Sequence, residues 1–340
     1  MTVYLGCYTD DAHPNGLKAL RVDETAGRME VVAEYPVSNG LYQALSPDGT
    51  ILYSCTGEGL ASFRADGARI DGIDAVELGS AVCHVAAMQD GKRVVFADYM
   101  GGFAGSVAVE NGKFGEVVLH RHCGSGPNLP RQDKAHCHQA LPLPDGSGYA
   151  VCDLGLDEIV TYPGNRAFKT FPSGAGPRHL LFHPNGRSAF LVSELGNLVS
   201  SLSWSPGKGF EILDTASTID TDSALSESLR LCVKSDRSRI AAAIRFTPDL
   251  RRVVVSNRGE NSLVVYDFDE ETGKMAFKSR TFLSGSWPRD FVFVADMLAL
   301  VAMERSGEVH ALRYDAATGE FKAIATLDGL FRPVALCKCP

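Results

Sequence analysis

No apolar run in this 340-residue chain approaches the roughly 18 residues needed to span a bilayer. Met1-Thr2-Val3-Tyr4 opens it without a charged segment followed by an apolar one. A cytoplasmic, non-secreted protein is the expectation. Surplus positive charge is also missing: 33 Lys and Arg stand against 41 Asp and Glu, a net charge of −8. That balance argues against a general surface for nucleic acid or anionic membrane, so any anionic ligand must meet a local cluster of cations. A disulfide framework is not suggested either. The nine cysteines (Cys7, Cys55, Cys83, Cys123, Cys137, Cys152, Cys232, Cys337 and Cys339) are odd in number and fall in strand-like runs, which reads as reduced core thiols. Among them Cys337-x-Cys339 lies in a closing strand, where packing is its expected role. No metal is expected, because no acidic or thiol spacing completes a recognised site around His120-x-His122-Cys123 and His136-x-His138. No helix follows Gly101-Gly102-Phe103-Ala104-Gly105, so it is not a phosphate loop.

What the chain does have is a repeated phrase: an apolar run, a Pro-Asp-Gly-like turn, a second apolar run, then a polar residue and a hairpin. It occurs at Ser46-Pro47-Asp48-Gly49, Gln89-Asp90-Gly91, Leu143-Pro144-Asp145-Gly146, His183-Pro184-Asn185-Gly186 and Thr247-Pro248-Asp249-Leu250, and in worn form at Val294-Ala295-Asp296-Met297. Strands and Asp-Gly turns at a period of roughly 40 to 60 residues predict an all-β fold, a β-propeller. Six repeats leave three strands at the start (Val3-Tyr4-Leu5-Gly6, Leu17-Lys18-Ala19-Leu20, Met29-Glu30-Val31-Val32) and one at the end, Pro333-Val334-Ala335-Leu336. Together they make a seventh, split blade that closes the ring and removes free sheet edges. The expectation is one seven-bladed domain over residues 1–340, although length alone would suggest about two domains.

Overlaying the repeats locates a candidate site. The first strand of a blade begins, and the second ends, on the face opposite the Pro-Asp-Gly turns. Seven positions before the turn stand Leu41, Cys83, His138, Arg178, Ala242 and Arg289, and six before it Tyr42, His84, Gln139, His179, Ala243 and Asp290. Eight after it come Thr56, Asp98, Asp153, Ser193, Asn257 and Glu304, small polar types suited to bonding their own backbone at a hairpin. One residue later the pattern dissolves into Gly57, Tyr99, Leu154, Glu194, Arg258 and Arg305. The overlay therefore nominates His138, Arg178, Glu194, Arg258 and Arg289 around one mouth of the channel. His136 joins them, since an extended His136-Cys137-His138 puts both imidazoles on one face. Converging arginines suit carboxylate or phosphate recognition; alternatively they pair with Asp153, Glu194 and Asp290 to tie blades together. Two inserts, His120 to Ala135 and Leu213 to Ser238, should rim the same mouth, as lids or as loose surface loops. The second contains the polar run Asp214 to Asp222. His183 precedes a turn on the opposite face, where a structural role is expected.

These residues resemble a family. Ala135-His136-Cys137-His138 with Pro144-Asp145-Gly146 and Val151-Cys152-Asp153-Leu154-Gly155 looks like the Pro-His-x-His segment of the seven-bladed propeller lactonases of 6-phosphogluconolactonase type, which are related to fungal carboxymuconate cyclases. Gly176-Pro177-Arg178-His179-Leu180, His183-Pro184-Asn185-Gly186 and Ser193-Glu194-Leu195 are similar to the family's most specific block. Phe246-Thr247-Pro248-Asp249, Ser256-Asn257-Arg258-Gly259, Trp287-Pro288-Arg289-Asp290-Phe291 and the opening Gly6-Cys7-Tyr8-Thr9 extend the resemblance along the whole chain. Departures are Ala135 for the usual proline, Ala243 where an acidic residue is common, and Leu250 in the turn. The resemblance implies a cofactor-free lactonase for a small anionic sugar lactone, 6-phosphoglucono-δ-lactone foremost, acting as a monomer or weak homo-oligomer. Lactone opening needs a deprotonated water, a stabilised oxyanion and a proton for the leaving alkoxide. His138 is the first candidate for base, with His136 or Glu194 as orienter or alternative base, and Arg178 for the oxyanion. Arg258, Arg289, His179 and Asp153 are candidates for holding substrate. A carboxymuconate-type cyclase and a non-catalytic binding propeller are the alternatives.

Overall fold

The computed structural model describes residues 1–170, 172–220 and 238–339. Within them the chain forms seven four-stranded antiparallel sheets arranged as propeller blades. Blade 1 is the split one: the closing strand Pro333–Lys338 pairs with Thr2–Cys7, which is followed outward by Leu17–Val22 and Met29–Tyr35. The closing register sets Tyr4 opposite Cys337 and Leu5 opposite Leu336, so the last strand of the chain becomes the innermost strand of the first blade. Blades 2 to 7 follow as residues 43–77, 84–121, 137–169, 177–217, 240–282 and 288–327. No helix among the described residues is long and apolar enough to cross a membrane.

The burial pattern explains why the repeats read as they do. The second strand of each blade is covered on both faces by neighbouring blades, so Arg93–Asp98, Tyr149–Asp153 and Leu298–Met303 are near-continuous buried runs. The outermost strands are mostly open to solvent, as Phe321–Leu327 is beyond its buried first residue. The apolar core is divided into seven clusters, each shared by two adjacent blades around the ring. Leu143, Cys152 and Ile159 of blade 4, for example, pack against Leu180, Leu202 and Trp204 of blade 5. Each fully buried Leu contributes about 1.5–3 kcal/mol. The cluster joining blades 7 and 1 includes Leu336 of the closing strand.

The recurrent turns lie on the face opposite the start of the first strands. In five of the six, the residue after Asp or Asn donates its N–H three residues back, as Gly49 does to Ser46 and Gly146 to Leu143. This geometry needs a positive φ, which glycine supplies at Gly49, Gly91, Gly146 and Gly186. Leu250 adopts the same conformation at φ 61°, so the fold imposes the turn even where the side chain disfavours it. His183 is buried against Phe246 and Phe268, a packing role.

Two sequence expectations change. All eight described cysteines are free, but Cys123 is exposed and not a core thiol, because the loop holding it leaves the outer strand of blade 3; Cys232 lies outside the described residues. The polar run from Asp214 begins as outer strand, since Gly209–Ser217 completes blade 5. Residues 221–237 of that insert, with Thr221 and Asp222, lie outside the described residues.

Candidate active site

The start of the first strands and the end of the second strands meet around a cavity of about 450 Å³ at one end of the propeller axis. Its wall includes His138 from blade 4, Glu194 from blade 5, Arg258 from blade 6, Arg289 from blade 7 and Cys83 from blade 3. A β-bulge at the start of blades 4 and 5, where the register shifts between Cys137 and Gln139 and between Pro177 and His179, turns these segments relative to the ladder. Larger surface grooves lie between the outer edges of blades, such as that beside Tyr149 and Tyr162, away from the axis.

Glu194 is the hub. Its Oε2 accepts from Arg178 Nε at 3.0 Å and from Arg258 Nη2 at 2.7 Å, while its Oε1 accepts from Arg131 Nη2. Three guanidiniums around one carboxylate leave the site with excess positive charge. Burial pushes the Glu194 carboxyl up, but Arg258, Arg131 and Arg178 together hold it well below the usual range. The same crowding shows on the cations. Burial and the neighbouring Arg258 push Arg178 down to about 9, partly offset by Glu194. Arg289 is balanced separately by Glu304 at 2.8 Å, which also takes Arg332 at 2.5 Å.

His138 is the uncommitted group. Its Nδ1 is buried without a hydrogen-bond partner, and its Nε2 lies 3.9 Å from Glu194 Oε2, beyond a direct hydrogen bond. Burial first, then the charge of Arg178, holds the imidazole well below its usual pKa, so it is neutral at pH 7 with a lone pair on one ring nitrogen. Cys83 Sγ is spent on carbonyl oxygens of Ala97 and His138, and burial followed by Asp98 pushes its thiol up to about 12, which disqualifies it as a thiolate nucleophile.

The other nominated residues stand behind this wall. Arg178 is buried beneath Glu194, with Nη1 donating to Ala242 O at 2.7 Å; it supplies field more than contact. His136 stacks on Tyr99 at 4.3 Å, and both nitrogens face acceptors, Tyr99 O at 2.8 Å and Asp133 Oδ1 at 3.0 Å. Both of its nitrogens are therefore engaged. His179 sits deeper in the channel, 5.4 Å from the His138 ring and 5.8 Å from that of His84. Asp153 is not at the cavity at all, correcting its expected contact with substrate. It is fully buried; Oδ1 accepts from the N–H groups of His136, Gly155 and Leu156, and Oδ2 takes His122 Nδ1 at 2.7 Å. This is the hairpin role that its repeat position suggested, now also fixing the strand that carries His136 and His138.

His122, Cys137 and Asp153 lie close enough to share an ion, with ligand atoms within 4.8 Å of one another. Their donors are already spent: His122 Nε2 bonds the Tyr162 hydroxyl at 2.9 Å and Cys137 Sγ points to Asp153 at 3.7 Å. Hydrogen bonding accounts for the trio.

Repeat reasoning missed Arg131, Tyr99 and Arg245. Tyr99 occupied the variable position of the overlay, a signal that could have nominated it. Arg131 comes from the first insert, which does rim the mouth. That insert is bolted down, not loose: Gln132 is fully buried and bonds Leu154 O and Asp157 Oδ1, each at 2.8 Å. Arg245, on the first strand of blade 6, is paired with Asp290 at 2.7 Å and bonded to the Tyr42 hydroxyl at 3.2 Å. Asp290 also accepts from Leu336 N at 3.0 Å, tying blade 7 to the closing strand.

Fold and site together define a propeller enzyme built around one axial, anion-attracting cavity with a neutral imidazole in its wall. The chain matches the family model of the seven-bladed β-propeller lactonases over residues 2–335, and it belongs to that family; it is a lactonase. It is 31% identical over 351 residues to the 6-phosphogluconolactonase of Bacillus subtilis (strain 168), covering 98% of this chain and 97% of that one. A crystal structure of a Lactobacillus plantarum protein superposes with a TM-score of 0.86 at 27% identity, over 99% of this chain and 98% of the other. The Pseudomonas aeruginosa periplasmic gluconolactonase PpgL superposes at 0.89 over 100% and 99% of the two chains, at 24% identity, a likeness of fold.

Proposed function

We propose that this protein hydrolyses a sugar lactone bearing an anionic group, with 6-phosphoglucono-δ-lactone the best-fitting substrate. The observation that carries the reading is the excess of guanidinium charge around a cavity that also presents one unpaired neutral imidazole. A volume near 450 Å³ falls in the range of small-molecule sites. In this reading Arg258 and Arg289 hold the substrate anion. His138 Nε2 removes a proton from water as it adds to the lactone carbonyl. The tetrahedral oxyanion forms in the field of Arg178. Its collapse breaks the ring C–O bond, and the imidazolium returns the proton to the departing alkoxide oxygen. Lactone and water thereby give the hydroxy acid, and His138 is neutral again. Glu194 stays ionised throughout, compensating the imidazolium, with its oxygens occupied by arginines.

The test is the rate of opening of fresh 6-phosphoglucono-δ-lactone against unphosphorylated gluconolactone and 3-carboxymuconate, for wild type, His138→Gln and Arg258→Met. Fast opening of the phosphorylated lactone, lost in both variants, is expected. Turnover of the muconate alone would replace this reading with the cyclase.

A further inference from the structure

The three guanidiniums on Glu194 are not equivalent. Arg178 and Arg258 are each anchored a second time to the body of the propeller, on Ala242 O and Ala241 O, both at 2.7 Å. Their side chains are 3% and 6% exposed. Arg131 is 20% exposed, and its other tie is a neutral one, the Tyr99 hydroxyl at 3.0 Å. It is also the sole donor to Glu194 Oε1 among the described residues. If Arg131 turns to another anion, Glu194 still keeps two cations on Oε2, so the exchange leaves no buried charge unpaired. Removing either of the other two would leave a backbone carbonyl of the propeller body without its donor.

The backbone beneath Arg131 is fixed. Gln132 bonds Asp157, and Asp157 in turn accepts from the N–H groups of Gly174 and Gly176, at the entry to the strand carrying Arg178. Only a side chain need move.

Building on the lactone-hydrolase reading above, we propose that Arg131 is a substrate-sensing switch. The anionic group of the substrate draws it off Glu194, and the freed Oε1 then accepts a hydrogen bond from the attacking water beside His138. In the resting site this oxygen is capped, so a neutral lactone finds Glu194 engaged on both oxygens. Losing one of its three cations also eases the depression of the Glu194 carboxyl, making it a better acceptor. No covalent bond changes in the switch itself; one charge-assisted hydrogen bond is traded for another.

Two measurements test this, with inorganic phosphate as the probe. In calorimetric titration, wild type should bind phosphate and Arg131→Ala should bind it roughly tenfold or more weakly, the loss of one charge-assisted contact. In turnover of unphosphorylated gluconolactone, phosphate should stimulate wild type severalfold. Arg131→Ala should open that lactone faster than unstimulated wild type and ignore phosphate. Unchanged phosphate affinity in Arg131→Ala, or inhibition of wild type by phosphate with no stimulation, would overturn the switch. If phosphate binds through Arg131 but neither lactone opens above the buffer rate, the switch in the anion site stands and the hydrolase reading falls.

Discussion

His84 offers a quantitative check on the electrostatics of the channel, away from the groups assigned to chemistry. Its ring is buried against Tyr42, 4.1 Å between centroids, and its Nδ1 has no hydrogen-bond partner. Burial first, then the charges of Arg245 and Arg178, pushes the imidazole from 6.5 down to about 3. The unfolded chain takes up this proton as pH falls through about 6.5, whereas the folded chain refuses it until about 3. Stability from His84 is therefore complete above pH 6.5 and is lost progressively as pH falls toward 3. Between pH 7 and pH 5 the loss is about 2 kcal/mol. His138 and His179 are depressed in the same direction, mainly by burial, so their contributions are lost in the same direction as pH falls. Glu194 adds nothing in this window, because its ordinary value of 4.5 lies below pH 5 and its folded value is lower still. The assay is guanidinium chloride unfolding at pH 7 and pH 5 for wild type and His84→Phe. Phenylalanine keeps the ring on Tyr42 and removes an unpaired polar atom, so stability at pH 7 should stay near wild type. Its loss on going to pH 5 should shrink by about 2 kcal/mol. An unchanged pH dependence in His84→Phe would refute the claim that this imidazole is held neutral.

Replacing His138 by Gln should lower kcat by about 10² to 10⁴ with the fold intact by circular dichroism; a smaller effect would move the base elsewhere. Leu250→Gly should raise stability by about 0.5–1 kcal/mol, the relief of a positive-φ leucine less the entropy glycine adds to the unfolded chain; a lower denaturation midpoint would contradict the strain. Iodoacetamide at pH 7 should label Cys123 and spare Cys83 with turnover unchanged, as mass spectrometry would show; activity lost in step with Cys83 labelling would contradict its raised pKa. Asp153→Ala should destabilise by about 2–4 kcal/mol, since three N–H groups lose their acceptor; an unperturbed melting curve would mean water replaces the carboxylate at no cost.

Most of the fold was legible because a propeller writes each blade twice: once as apolar runs and once as a turn whose φ demands Gly. Even the split blade could be counted from strands left over at either end. The site was legible where it coincides with that grammar. His138, Glu194, Arg258 and Arg289 sit at repeat positions that break an otherwise regular pattern, and the cavity collects them because those positions share one end of the axis. The same grammar misplaced Asp153, whose residue type suited ligand binding while its position already meant a hairpin hydrogen bond. It was silent on Arg245, which pairs with Asp290 and bonds the Tyr42 hydroxyl from a position that no repeat distinguishes. It was silent on Arg131 for a deeper reason: an insert has no counterpart in other blades, so nothing in the overlay can register its residues. Its contact with Glu194 depends on Gln132 being bolted to Asp157, a bond between loops 25 residues apart in sequence. An insert is the part of a repeat fold free to acquire a substrate-specific contact without disturbing a blade, and the residue that periodicity cannot see is here the one placed to respond to substrate.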